Sequence, residues 1–125
     1  MKLFLPKSIR SKKNSKRIYA RGKFKQVLPS KAYVEWEREA RIFVIKQIGY
    51  NFKLLEEELS INAQIYYKGQ RPDLSGCFES IGDCLESIVY KNDRQIVSWD
   101  GSRLWHNLED PHTIVEINII GANNG

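Results

Sequence analysis

The stretch RPDLSGCFESIGDCLESIVYKNDRQI, residues 71–96, gathers Asp73, Glu79, Asp83, Glu86 and Asp93. Carboxylates that meet in space are hard oxygen ligands suited to magnesium. A metal held by them can polarise a phosphodiester and lower the pKa of an attacking water. Helical spacing ranks the acids. Glu79 lies six residues past Asp73, about 9 Å along a helix axis. Helical side chains lean towards the N-terminus, so a long Glu can share an ion with Asp73. Asp83 is about 15 Å along the same axis, too far for an ion that Asp73 also binds. Asp93 follows the helix where the next strand begins, and meets Asp73 only if the connection folds back. The expected ligand set is therefore Asp73, Glu79 and Asp93. Each acid also has a plainer reading. Glu79, Asp83 and Glu86 lie opposite the apolar residues, as on any solvated helical face. Asp73 can be a helix cap, and Asp93 a turn residue.

Other catalytic designs are missing from the sequence. It has no GxSxG elbow, no P-loop and no GxGxxG. His106 and His112 lack metal spacing and an obvious nucleophile. Cys77 and Cys84 are seven apart in one helix, about 10 Å, beyond the roughly 7 Å limit for a disulfide. Both fall on the apolar face and read as buried small hydrophobes. Trp36, Trp99 and Trp105 could stack on bases, with Trp36 assigned to the core.

The elements that must position these acids follow from periodicity. Residues 2–6 read as a strand stopped by Pro6. Residues 7–17 are basic, with no apolar period, and read as a loop or arm. A hairpin follows, turning near Arg21-Gly22-Lys23. Ser30 is an N-cap for a helix over 31–48 that puts Ala32, Trp36, Ala40, Phe43 and Val44 on one face, with Gly49 as its stop. Residues 50–60 read as a short helical turn or an irregular linker. Residues 61–69 alternate as a half-buried strand. A second helix is expected over 74–89, with Cys77, Phe78, Ile81, Cys84, Leu85 and Ile88 apolar. Residues 94–99 read as a strand. Asp100-Gly101 is a two-residue turn into 102–106, and 113–120 is the last strand. This order indicates an α+β fold, a mixed sheet covered by two main helices in a single domain spanning 1–125.

Charge is unevenly spread. Residues 1–34 hold 11 Lys or Arg and no acid, whereas 35–125 hold 9 against 15 Asp or Glu, a net of −6. A basic arm can meet phosphates and release counterions. Lys12, Lys13, Asn14, Lys16, Arg17 and Arg21 carry that expectation, beside the plainer reading of a soluble, Lys-rich segment. No apolar run approaches the roughly 20 residues of a membrane span. No secretory signal is recognisable, which makes the cytoplasm the expected compartment.

The segment RPDLSGCFESIGDCL…YKNDRQI resembles the RusA family of Holliday-junction resolvases. In that family D-L-D-N opens a helix, an L-D-A-L-like turn ends it, and D-D-x-Q-[IV] follows. LPKSIRSKKNSKRI resembles the family's early proline and basic, Asn-containing loop, and PSKAYVEWEREA the start of its first long helix. The resemblance implies a homodimeric, magnesium-dependent endonuclease (manganese being a possible substitute). It would cut four-way DNA junctions with paired symmetric nicks, in recombination and repair, in a prophage setting by resemblance only. It implies neither a membrane partner nor a small-molecule cofactor. By position, Asp73 matches the first aspartate of D-L-D-N, Asp83 the helix aspartate and Asp93 the second of D-D. These three, with Glu79, are the expected catalytic residues, and Arg71 joins the arm as an expected nucleic-acid contact. Ser75, Gly76 and Asn92 depart from the pattern, removing two carboxylates, while Glu79 stands where the family usually has Lys. Glu79 is read as replacing the ligand lost at Ser75. If it does not, the chain becomes a branched-DNA-binding module that cuts weakly; a basic RNA-binding domain is a further alternative.

Overall fold

Alternation of buried and open side chains builds the sheet. In the computed structural model, which describes residues 1–11, 16–21 and 24–121 (only the backbone between 16 and 29), seven strands and two α-helices are assigned. Strand β4, Leu59–Tyr67, buries Leu59, Ile61, Ala63 and Ile65 on one face. It pairs antiparallel with β7, His112–Ile119, which in turn pairs antiparallel with β1, Lys2–Pro6. On its other edge β4 runs parallel to β5, Ile96–Ser98, and to β6, Arg103–His106. The result is the expected α+β fold with a mixed five-stranded sheet. Leu3, Leu5, Val115 and Ile117 join β4 in a core shared with the buried residues of both helices.

The hairpin lies where periodicity places it. Strands β2, Lys16–Arg21, and β3, Phe24–Pro29, pair antiparallel, with Arg21 opposite Phe24. The turn residues Gly22 and Lys23 lie outside the described residues, as do Lys12, Lys13 and Asn14.

Helix α1, Lys31–Ile48, begins where Ser30 accepts a hydrogen bond from the Tyr33 N–H, and Gly49 ends it at φ 85°. Its buried stripe is Tyr33, Trp36, Ala40 and Val44. Ala32 and Phe43, expected in that stripe, are exposed. Phe43 instead sits beside Phe4 at the sheet edge, ring centroids 6.0 Å apart. Tyr33 takes the core position because its hydroxyl finds an acceptor one turn on, in the Glu37 carboxylate.

Helix α2, Leu74–Leu85, stops earlier than its apolar pattern predicts. Ser87 turns the chain at φ 70°, so Ile88 and Val89 lie beyond the helix. The freed peptide groups are met from outside. Arg41 of α1 donates to the carbonyls of Asp83, Cys84 and Glu86 at 3.2–3.4 Å. The buried Tyr90 hydroxyl adds a second hydrogen bond, at 2.7 Å, to the Gly82 carbonyl, which also accepts from the Glu86 N–H.

Asp100-Gly101 makes the expected turn, the Ser102 N–H donating to the Trp99 carbonyl at 3.1 Å, but β5 and β6 do not pair with each other. Both lie parallel to β4, on successive stretches of it. This turn lies beside Asn62, whose amide donates to the Asp100 carbonyl at 3.4 Å. A Cβ on Gly101 would meet the Asn62 amide nitrogen at 2.4 Å, and its φ of 85° suits glycine.

Candidate metal centre

The parallel pairing of β4 with β5 makes β4–α2–β5 a crossover unit. Asp73 therefore stands at the start of α2, and the chain from Ser87 onward returns along its end. A one-turn 3₁₀ helix, Asp93–Gln95, fixes the returning segment. Asn92 and Gln95 form a capping box there. The Asn92 side chain accepts from the Arg94 N–H at 2.9 Å, and Gln95 accepts from the Asn92 N–H at 2.9 Å. The Gln95 amide donates onward to the Leu55 and Glu57 carbonyls at 2.9 and 3.0 Å. That ties the segment to the linker before β4.

This brace sets Asp93 against the last turn of α2. Asp83, Glu86 and Asp93 each offer a carboxylate oxygen, and all three oxygens lie within 4.8 Å of one another. Asp83 and Glu86 are half-buried and Asp93 is exposed. The backbone N–H of Asp93 donates to Glu86 at 3.3 Å, which orients that carboxylate. Arg41 approaches from α1 and holds the carbonyls of the same turn.

The structure groups the acids differently from the spacing argument. Asp93 joins Asp83 and Glu86 rather than Asp73 and Glu79. A Cβ built on Gly82 would sit 3.8 Å from the Asp93 Cβ. Gly82 is nine residues past Asp73, roughly 13 Å of helix. Asp73 is thus separated from Asp93 by most of the length of α2. Its side chain makes no cap bond, and it accepts from the Ser75 hydroxyl at 3.1 Å. The residue that replaces an expected carboxylate thus binds the one that remains. Glu79 lies between the two ends. It lines a cleft of about 200 Å³ with Phe78, Gly82, Asp93, Ile96 and Trp99. Phe78 and Trp99 stack there at 4.3 Å.

Glu86 and Arg41 are the residues that the spacing argument passed over. Glu86 was visible: it is three residues after Asp83 and so shares its helix face. Arg41 lies 42 residues from Asp83 in sequence and carries no local signal.

The basic arm begins next to this unit. The Lys68 N–H donates to the Ser8 hydroxyl at 3.0 Å, and Ser80 of α2 donates to the Arg10 carbonyl at 2.7 Å. Ile9 between them is buried. The backbone of Lys16, Arg17 and Arg21 runs in β2. Arg71 is exposed just before α2. Cys77 and Cys84 are free and buried, as expected, and burial pushes each thiol up to about 12. No helix among the described residues is long and apolar enough to cross a membrane.

No curated protein matches the chain. The family model for endodeoxyribonuclease RusA matches residues 7–118. That span takes in the start of the arm, both helices and every acid of the crossover unit, so the chain belongs to the RusA endodeoxyribonuclease family.

Proposed function

We propose that this chain is a divalent-metal-dependent endonuclease that cuts four-way DNA junctions, with Asp83, Glu86 and Asp93 as the metal ligands. The observation that carries this reading is three carboxylate oxygens within 4.8 Å in a RusA-family chain. The donor set suits the ion. It is all oxygen, with no thiol or imidazole, which favours magnesium or manganese over zinc. Bound there, the metal would supply Lewis acidity and a more acidic water. The protein's own part is to hold the ligands. Arg41 fixes the turn that bears Asp83 and Glu86, and the Asn92–Gln95 box fixes Asp93. Glu79 borders Asp93 across the cleft and is placed to act on the outer side of the site; Asp73 lies beyond reach of the same ion. The arm residues Lys12, Lys13, Asn14, Lys16, Arg17 and Arg21, with Arg71, supply phosphate contacts that orient the DNA.

Paired nicks need two active sites, and a C₂ homodimer provides them with one interface. A weakly cutting junction-binding module is the second reading, favoured by Asn92 serving as a cap and Ser75 as a hydrogen-bond donor. The test is cleavage of a labelled four-way junction with magnesium, alongside gel-shift binding without it and light scattering of the same sample. Symmetric nicks by a dimer support the first reading. Junction binding with no cleavage in magnesium supports the second. Cleavage by a strictly monomeric protein would overturn the dimer.

A further inference from the structure

The helices share a core with Leu59, Ile61, Ala63 and Ile65, so they cover one face of the sheet. Alternate residues of each strand point to the other face. An open face of a largely antiparallel sheet is ordinarily polar. Here one row across the strands reads Phe4, Ile114, Gln64 and Arg103. The next reads Pro6, His112, Tyr66 and Trp105. Ile114 and Tyr66 are half-buried among their neighbours, while Phe4 and Trp105 at the flanks stay 37% and 36% exposed.

The polar groups of this face are already bonded within the chain. The Trp105 indole N–H donates to Gln64 at 2.9 Å. The Gln64 amide donates in turn to Asn62 at 2.6 Å and to the Gly101 carbonyl at 2.8 Å. His112 Nδ1 lies 2.7 Å from the Asp110 carbonyl. Removing water from such groups avoids the cost of orphaning them. The rings are also set in advance. Trp105 stacks on Tyr66 at 6.1 Å, Tyr66 on His112 at 4.6 Å and His112 on Phe4 at 5.1 Å, with interplanar angles of 15–20°. Side chains ordered before contact lose little rotamer freedom on binding. DNA suits this face badly. Its cations are Lys2, which stands opposite Glu116, and Arg103, whose guanidinium lies 3.8 Å over the Trp105 ring centroid. A phosphate backbone calls for a run of cations, and the inner rings are covered on both sides, leaving no face for a base.

We propose that this open face is where two copies of the chain meet, packing sheet on sheet about a two-fold axis, with Trp105 and Ile114 at its centre. The inference deepens the dimer of the reading above, which needs two copies but names no surface. A two-fold contact uses the same patch on both copies. Its anatomy fits that use: Trp, Tyr, Phe and Arg are the residues enriched at interface centres, and Lys2, Glu116 and Asn62 form a polar rim. The area is sufficient. The sheet is four strand widths across, since β5 and β6 share one edge of β4. At about 4.8 Å per strand and about 3.3 Å per residue, its flat footprint is roughly 450 Å². With side-chain relief the two copies together bury about 1,000 Å², the lower size for a specific interface. Packed this way, the helices and the acid clusters they carry lie on the outer layers, open to DNA.

The test needs neither DNA nor metal. Sedimentation of the full chain in EDTA, over a series of concentrations, reads the dimer dissociation constant. Trp105→Ala is expected to raise it about thirtyfold or more, as for a central aromatic anchor. Ile114→Lys puts a charge at the middle of the patch and should leave a monomer whose circular dichroism matches the native chain. Ile42→Glu is the control: Ile42 is 48% exposed on α1, away from this face, and its variant should dimerise like the native chain. If Ile114→Lys does not fold, Trp105→Ala decides alone. Native dissociation constants for Trp105→Ala and a folded Ile114→Lys overturn the proposal, as does a dimer broken by Ile42→Glu alone. Weaker junction binding by Trp105→Ala with its dimer intact would assign the face to DNA and also overturn it. A native chain that stays monomeric throughout overturns both this surface and the dimer of the reading above. A Trp105-dependent native dimer that never cuts overturns the nuclease reading and leaves the surface standing.

Discussion

Replacing Glu86 by Gln separates the two possible ligand sets, because Glu86 belongs to the observed cluster and to no set drawn from spacing. Without metal, three carboxylates at 4.8 Å or less repel one another. Each pair contributes about 0.9 kcal/mol in water at that distance. The substitution removes two pairs, and screening at about 0.1 M salt reduces their sum to about 1 kcal/mol. The oxygens lie at 4.8 Å or less, so about 1 kcal/mol is the value at the longest separation. Gln keeps the oxygen that accepts from the Asp93 N–H, so the local geometry should survive. In EDTA, E86Q should therefore melt higher than the native protein, by about a few degrees. With magnesium the order should reverse. Saturation at about 100 Kd stabilises the native fold by about 2.7 kcal/mol, and E86Q should gain little of it. Junction cleavage by E86Q should fall at least tenfold, while D73N and E79Q keep more activity. The assay is thermal unfolding with and without magnesium, run beside cleavage of the junction. A native-sized magnesium shift in E86Q, together with its loss in D73N and E79Q, would place the metal nearer the start of α2 and refute the reasoning.

Arg41→Met should cost about 1.5–3 kcal/mol, since charged hydrogen bonds to the end of α2 are lost; urea unfolding measures it, and a neutral result would mean that water serves the carbonyls equally well. Cys77 and Cys84 should resist a thiol reagent in the native state and react on unfolding. Their thiols lie near 12 when folded against an ordinary 9.0, so above pH 9 the unfolded chain loses protons that the folded one keeps. Stability should thus be full below pH 9 and decline as pH rises towards 12, with Tyr33 and Tyr90, also raised by burial, adding in the same direction above pH 10. A pH series of denaturant unfolding that stays flat across that range would contradict this. Changing Lys12, Lys13, Lys16 and Arg17 together to Ala should weaken junction binding and flatten its salt dependence; an unchanged slope would remove the arm from the interface.

Much of the fold could be read locally. Ser30 and Gly49 bracket α1 because capping is a property of neighbouring residues. Strand β4 showed in its alternation. What local pattern missed was decided at a distance. Helix α2 ends at Leu85, although apolar spacing continues to Ile88, because Ser87 turns the chain and Arg41 satisfies the carbonyls that turn frees. Phe43 leaves the core because Phe4 waits at the sheet edge, while Tyr33 enters it because the Glu37 carboxylate accepts a hydrogen bond from its hydroxyl. The site followed the same division. That acids from residues 73–93 would gather was legible from their density in the crossover unit. Which three gather depends on the return path of the chain, and a parallel crossover places that path at the end of α2 rather than at its start.

The pairing of β1 with β7 sets an order of events during synthesis. The Ile117 N–H donates to the Met1 carbonyl at 2.8 Å, and Leu3 lies opposite Val115. Strand β1 therefore has no partner in this sheet until β7, about a hundred residues further on, leaves the ribosome. At about 5–20 residues per second, the basic N-terminal third of the chain spends several seconds without its sheet, in reach of every nucleic acid nearby. Strand β4 also lacks its antiparallel neighbour for most of that time. Folding is then a late, long-range closure, of the kind that goes with high contact order and slow rates. The ligands of the candidate centre lie on the β4–α2–β5 unit, which is complete before β7 is. Whether magnesium speeds refolding would show if that unit takes shape ahead of the closure.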